Sequence, residues 1–158
     1  METTGNKKTA TLLQLSAYTQ YFFPFGNFIF PVIIWSVKKD ESEFVNYNGK
    51  QAINFQLSLL MYTIALMIIA IPTLLYTIFS GLDFTLANDS NWMFKNNAHW
   101  FIENFNGGKI GGILAVAIIA LLIFAVMKVA EFFLILYAAL KNTNGENYNY
   151  PFTIKFIK

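Results

Sequence analysis

The segment KKDESEFVNYNGKQAINFQLS, residues 38–58, decides the fold, because its charged turn leads directly into a long apolar run. No charged residue occurs from Phe55 to Ser80, and about 20 apolar residues suffice to cross the ~30 Å hydrocarbon core of a bilayer. A second apolar block, from Ile110 to Leu140, is interrupted only by Lys128 and Glu131. These blocks lack the amphipathic spacing of soluble helices. The sequence therefore predicts an all-α integral membrane bundle of three to four transmembrane segments.

Composition excludes several classes of function. The 158 residues are 56% hydrophobic with a net charge of +2, and every basic residue is a lysine. Without arginine, bidentate phosphate recognition is not expected, and the lysines form no stripe typical of a nucleic-acid binder. The absence of cysteine excludes thiolate metal sites and thiol nucleophiles. We expect no cofactor, no metal and no nucleic-acid partner.

The first apolar region, residues 10–37, follows a polar and flexible N-terminus, residues 1–9. It is broken at Pro24–Asn27, where proline and glycine disfavour a continuous helix. Two alternatives are one kinked span and a hairpin of two short helices that returns to the same side. Counting lysines near the ends of the spans favours the hairpin, because cytoplasmic segments are enriched in lysine.

The remaining boundaries follow from the charge pattern. Asp40 and Glu43 resemble a capping box, so we expect a helix to begin near Glu41. We predict a cytoplasmic elbow (residues 38–52), a span (53–80), an extracytoplasmic loop (81–109), a second span (110–140) and a cytoplasmic tail (141–158). In the tail, Phe152, Ile154 and Phe156 alternate with other residues, which indicates an extended segment along the cytoplasmic interface.

The elbow and the tail together predict an interfacial collar, in which cationic and aromatic side chains lie at the headgroup layer. Its residues are Trp35, Lys38, Lys39, Asp40, Phe44, Lys50, Tyr150, Pro151 and Phe152.

The loop 81–109 carries Trp92 and Trp100, and its apolar spacing around Phe101 predicts a short helix lying on the membrane. The alternative is a loop folded over the mouth of the bundle. His99 is the only histidine, and a single histidine without cysteine or a cluster of carboxylates makes a poor metal site.

Two overlapping G-x-x-x-G patterns occur at the start of the last span. Their residues are Gly107, Gly108, Gly111 and Gly112. Small residues at this spacing let two helices approach closely. We expect packing within the chain rather than dimerisation.

Two groups of polar residues are candidates for function within the membrane. Lys128 and Glu131 can face each other on one helix surface, either as a structural ion pair or as part of an ion or substrate path. The absence of another ionisable residue in either long span favours the structural role. Asn54, Gln56 and Ser58 are expected to hydrogen-bond between helices, or alternatively to line a hydrophilic groove.

Four sequence elements in this order resemble a known family. They are PVIIW (residues 31–35), the KKDESEFV elbow, GKQAINFQLSLL (residues 49–60) and the closing NGENYNYPFTIKFIK (residues 144–158). The chain resembles small bacterial membrane proteins of unknown function that are grouped with the twenty-kilodalton inner-envelope component of the chloroplast protein-import translocon. The resemblance implies three to four helical spans and no established enzymatic activity. The chain departs from the family pattern in lacking a histidine in residues 11–20 and in carrying Lys128 and Glu131.

From these observations we expect a multi-pass protein of the cell membrane that is not an enzyme. Motifs for nucleotide binding, serine hydrolysis and zinc hydrolysis do not occur in the sequence. The expected function is a scaffold or accessory subunit that contacts lipid and other membrane proteins, or another copy of itself. The alternative is a small transport or protein-translocation component.

Overall fold

Helices form most of the chain, of which the computed structural model describes residues 2–81 and 109–157. In chain order they are α1 (Thr4–Ser16), a 3₁₀ helix (Ala17–Tyr21), α2 (Gly26–Lys38), α3 (Glu43–Gly81) and α4 (Lys109–Asn144). These two ranges contain no strand, which confirms the all-α prediction. The predicted loop helix, with His99, Trp92 and Trp100, lies outside the described residues.

Two of the described helices, α3 and α4, are long and apolar enough to cross a membrane. Most of their apolar side chains are exposed, for example Ile69 at 69% and Leu121 at 68%, as expected where the neighbour is lipid. The prediction of three to four spans is thus supported for two spans among the described residues, whereas α1 and α2 have only 13 residues each. At 1.5 Å per residue, each is about 20 Å long and too short to cross a ~30 Å core.

Residues 4–38 form a helical hairpin rather than one kinked span. Leu13 of α1 and Trp35 of α2 both contact Gly49, while Thr19 packs against Gly26 at the turn. The break is longer than Pro24–Asn27, since α1 already gives way to the 3₁₀ helix at Ala17. Phe25 has a positive φ of 61° and ends the turn directly before α2.

The long helix α3 begins at Glu43, two residues later than the sequence suggested. Ser42 caps it, because its hydroxyl accepts a hydrogen bond from the Val45 amide at 3.4 Å and its carbonyl accepts one from the Asn46 amide at 2.9 Å. The helix continues through Gly49 and Pro72 to Gly81. The N-terminal segment is also more ordered than expected, since α1 begins at Thr4 with Thr3 as its cap.

The chain divides into two compact units. The first contains residues 1–62 and 126–158 and includes the hairpin, the start of α3, the end of α4 and the tail; the second contains residues 63–125. In the first unit Ala17, Phe55, Ile135, Ala138 and Tyr150 form a buried apolar cluster. A smaller cluster joins Ala10 to Phe44 and Val45, which fixes α1 on the start of α3.

Candidate functional site

A closed polar triangle joins α4 to the 3₁₀ helix in the first unit. Lys128 Nζ lies 2.8 Å from Glu131 Oε2, as their spacing predicted. The Gln20 amide nitrogen donates to Glu131 Oε1 at 2.9 Å, and its oxygen accepts from Lys128 at 3.1 Å. The Glu131 side chain is 1% exposed, so its carboxylate is shielded from lipid and water. Both carboxylate oxygens are hydrogen-bonded. Buried membrane charges are tolerated under these conditions.

A cavity of about 290 Å³ adjoins this triangle. Its walls are mostly apolar, and Glu131 and Ser58 are among the few polar side chains that reach it. The cavity is lined by Phe55, Ser58, Leu59, Tyr62, Met127, Ala130, Glu131, Leu134, Pro151 and Phe152. Because the ion pair is neutral as a whole, the arrangement suits an apolar group better than an ion. In residues 2–81 and 109–157 no cluster of three or more His, Asp or Glu side chains could hold a metal.

A second polar group connects α1, α3, α4 and the tail through side-chain amides. The Gln14 amide nitrogen donates to Asn142 Oδ1 at 3.1 Å, and the Asn142 amide nitrogen donates to Asn48 Oδ1 at 2.8 Å. The Tyr150 hydroxyl donates to Gln14 Oε1 at 2.7 Å. All four side chains are buried. This amide network therefore links four segments through buried hydrogen bonds.

Asn54, Gln56 and Ser58, at the start of the long span, were predicted to bond between helices or to line a groove. In the structure, Gln56 bonds to α2, whereas Asn54 and Ser58 bond to the tail. Gln56 accepts a hydrogen bond from the Asn27 amide at 2.7 Å and so ties α2 to α3. Asn54 and Ser58 instead hold the backbone of the tail. Asn54 Oδ1 accepts from the amides of Phe156 (3.1 Å) and Ile157 (2.8 Å), and Ser58 Oγ accepts from the Ile154 amide at 2.8 Å.

The tail therefore folds against α3. It runs from Asn147, which bonds to Asn48, to Phe152, whose carbonyl accepts from the Tyr62 hydroxyl at 2.7 Å. It then turns at Phe152, which has a positive φ of 55°, and returns to Asn54. Non-helical backbone beside a membrane helix needs internal hydrogen-bond partners. The side chains of α3 provide them.

Two tail tyrosines are packed with other rings. Tyr150 stacks on Phe55 with 4.1 Å between ring centroids, and Tyr148 meets Tyr150 edge-on at 4.9 Å. Burial raises the pKa of Tyr150 well above its ordinary value and, to a smaller degree, raises the pKa of Tyr148. Both phenols are therefore neutral hydrogen-bonding groups over the physiological range.

The collar residues occupy different environments. Phe44 and Tyr150 are core residues, 5% and 6% exposed, whereas Phe152 is 88% exposed. Trp35 donates to Asn46 Oδ1 at 3.0 Å, and Lys39 lies 5.2 Å above its ring. The remaining members, Lys38, Asp40, Lys50 and Pro151, are exposed or half-buried, and Lys38 pairs with Glu41 at 2.7 Å.

Of the four glycines in the predicted motif, only Gly112 has described surroundings, so packing of the motif within the chain stays a prediction. A Cβ placed on Gly112 would meet nothing within 4 Å in the described chain, and Gly107 and Gly108 lie outside it. Close packing instead occurs at Gly49, where an added Cβ would collide with the Trp35 ring, and at Gly26, where it would lie 2.6 Å from the Thr19 backbone.

Three important side chains, Gln14, Gln20 and Asn142, were missed by the sequence reasoning. Each is an uncharged polar residue within or beside an apolar stretch, and that isolation is the signal that could have identified them. Gln14 and Gln20 bond to groups 34 to 136 residues away in sequence, and Asn142 bonds to Asn48 94 residues away, so these pairs have no local pattern.

Comparison with known proteins agrees with the membrane character of the fold. Neither the curated proteins nor the solved structures give a match. A family model described as the magnetosome magnetite crystal formation protein family matches residues 5–157. The match supports a small bacterial membrane protein and gives no support to the grouping with the chloroplast translocon component. This membrane protein, whose described residues include two helices able to span a bilayer, therefore belongs to the MamF/MmsF family.

Proposed function

We propose that the protein is a non-catalytic component of the magnetosome membrane that supports magnetite crystal formation as a scaffold or accessory subunit. The observation that carries this proposal is the family match, which extends over residues 5–157 and so includes the hairpin, both long helices and the tail.

The hydrogen bonding of the first unit favours a scaffold. In the described chain every buried side-chain nitrogen or oxygen has a hydrogen-bond partner. A fully paired polar interior specifies one rigid arrangement of segments, and it leaves few groups free to bind a substrate. Such a rigid unit suits a protein that presents its surface to lipid and to other membrane proteins.

Exposed aromatic residues at the tip of the hairpin offer a surface for these contacts. Tyr21, Phe22, Phe23 and Phe25 are all at least 59% exposed, with Phe22 at 82%. Because these residues form the turn between the 3₁₀ helix and α2, their rings share one part of the surface. Buried Phe44 and Tyr150 cannot serve this role in the folded chain.

The proposal can be tested in a magnetite-forming bacterium from which its own members of the family have been deleted. A tagged copy of this chain is expected to fractionate with magnetosome membranes and to restore crystal size, measured by electron microscopy. A photo-crosslinking residue at Phe22 or Phe152 should capture a recurrent membrane protein, and one at Phe44 should not. Unchanged crystals together with capture of lipid alone would contradict the scaffold role.

A second candidate is a small transport or translocation component, and it depends on the triangle of Gln20, Lys128 and Glu131 beside the 290 Å³ cavity. Replacing all three residues with leucine removes the charges without leaving one of them alone. If the folded variant loses an ion or solute flux that the parent protein shows in liposomes, transport is favoured over the scaffold.

A further inference from the structure

A pocket of about 460 Å³, lined by apolar surface together with several charged and amide side chains, lies between the first turns of α3 and the end of the tail. Glu43, Asn46, Lys50 and Gln51 line it from α3, and Lys155 lines it from the tail. The pocket is separate from the polar triangle and from the amide network. Its charged side chains have no role in the scaffold described above.

Asn54 brings the two lysines of the pocket together. Its side chain accepts from the Phe156 and Ile157 amides and donates to the Ile157 carbonyl at 2.9 Å. These three hydrogen bonds fix the backbone next to Lys155. Lys155, more than 100 positions from Lys50 in sequence, is thereby held at the same pocket.

The pocket has an excess of positive charge and hydrogen-bond donors. Three lysines of the described chain are paired with carboxylates: Lys38 with Glu41, Lys128 with Glu131 and Lys141 with Glu146. Within residues 2–81 and 109–157, neither Lys50 nor Lys155 has an ion-pair partner. Asn46 and Gln51 add amide groups, and Glu43 is the one carboxylate in the lining. This set of groups suits a phosphate oxygen.

The position of the pocket along α3 identifies the source of the phosphate. Lys50 is the last charged residue before the uncharged run of α3, and such a position is where a spanning helix leaves hydrocarbon and meets headgroups. We propose that Lys50 and Lys155 bind the phosphate group of a membrane phospholipid. This site does not depend on the proposed role in magnetite formation.

The test uses the full chain purified in detergent, with binding of phosphatidylglycerol measured by native mass spectrometry. Lys50→Gln with Lys155→Gln is expected to weaken lipid binding about tenfold. The matched control is Lys38→Gln with Lys39→Gln, which removes the same charge from lysines outside the pocket and should leave binding within about twofold. Circular dichroism establishes that each variant is folded.

Asn54→Ala provides a second test, because it keeps both lysines but releases the tail that positions Lys155. It should weaken binding as much as Lys155→Gln alone. Equal binding by the parent and the Lys50→Gln, Lys155→Gln variant would overturn the site. Displacement of the lipid by millimolar inorganic phosphate would identify free phosphate as the ligand and overturn the lipid assignment.

Discussion

At the scale of single residues, Gly49 sets the distance between α2 and α3. A Cβ at this position would collide with the Trp35 ring, although the helix itself would prefer alanine by about 1 kcal/mol. Gly49→Ala is expected to lower the free energy of unfolding by about 1–3 kcal/mol through overpacking. Gly112→Ala is the matched control, since Gly112 is also helical but a Cβ there would meet no described residue within 4 Å. Chemical unfolding in detergent measures both, and equal effects would contradict the packing role.

Tyr150 gives the protein a predicted response to alkaline pH. Burial raises its pKa well above about 10, the value expected in the unfolded chain. The folded state therefore holds this proton more tightly, and its contribution to stability is complete below pH 10 and declines as pH rises through the folded-state pKa.

Tyr150→Phe removes this titration. It should destabilise the protein by about 1–3 kcal/mol at neutral pH, because the buried Gln14 Oε1 then lacks the hydrogen-bond donor that the Tyr150 hydroxyl provides. The stability difference between parent and variant should then shrink above pH 10. A constant difference, measured by unfolding from pH 8 to 12, would show that the phenol does not titrate with unfolding.

At the scale of elements, the polar triangle stabilises the contact between α4 and the 3₁₀ helix only as a complete set. Glu131→Leu alone removes the carboxylate from Lys128 and is expected to cost about 3 kcal/mol. Leucine at Gln20, Lys128 and Glu131 together should recover most of that loss, because no polar group then remains in the apolar surroundings. Unfolding in detergent compares the two variants, and a triple variant less stable than the single one would contradict a purely structural ion pair.

The same scale shows what the sequence could predict. Apolar blocks and the Pro24–Asn27 break identified α3, α4 and a divided first region, because these signals are local. The tail was expected at the interface from its alternating pattern. In the structure its backbone amides donate to Asn54 and Ser58, and these hydrogen bonds hold it along α3. These contacts join residues 96 to 103 positions apart, and no periodicity within either segment encodes them. Gln20 was missed for the same reason, whereas Lys128 and Glu131 were found because they are neighbours on one helix.

At the scale of the whole molecule, the hairpin predicts that residues 4–8 lie on the same side of the membrane as the tail. Lys7 Nζ donates to the Asn144 carbonyl at 3.4 Å, so the start of α1 lies at the end of α4. Gly145, with a φ of +83°, leaves the space that the Lys7 side chain occupies. We therefore expect the first residues of α1, the elbow and the tail to lie on one face of the membrane, as the distribution of lysines also favours.

Cysteine labelling can test this arrangement, because the chain has no native cysteine. Single cysteines at Lys8, Asp40 and Glu146 occupy exposed positions. We expect a membrane-impermeant maleimide to react with all three from the same side of sealed vesicles, and with none from the other side until the vesicles are opened. Reaction of Lys8→Cys from the side opposite to Asp40→Cys would mean that the first apolar region crosses the bilayer. The contact between Lys7 and Asn144 could not then form, because the membrane would separate the two residues.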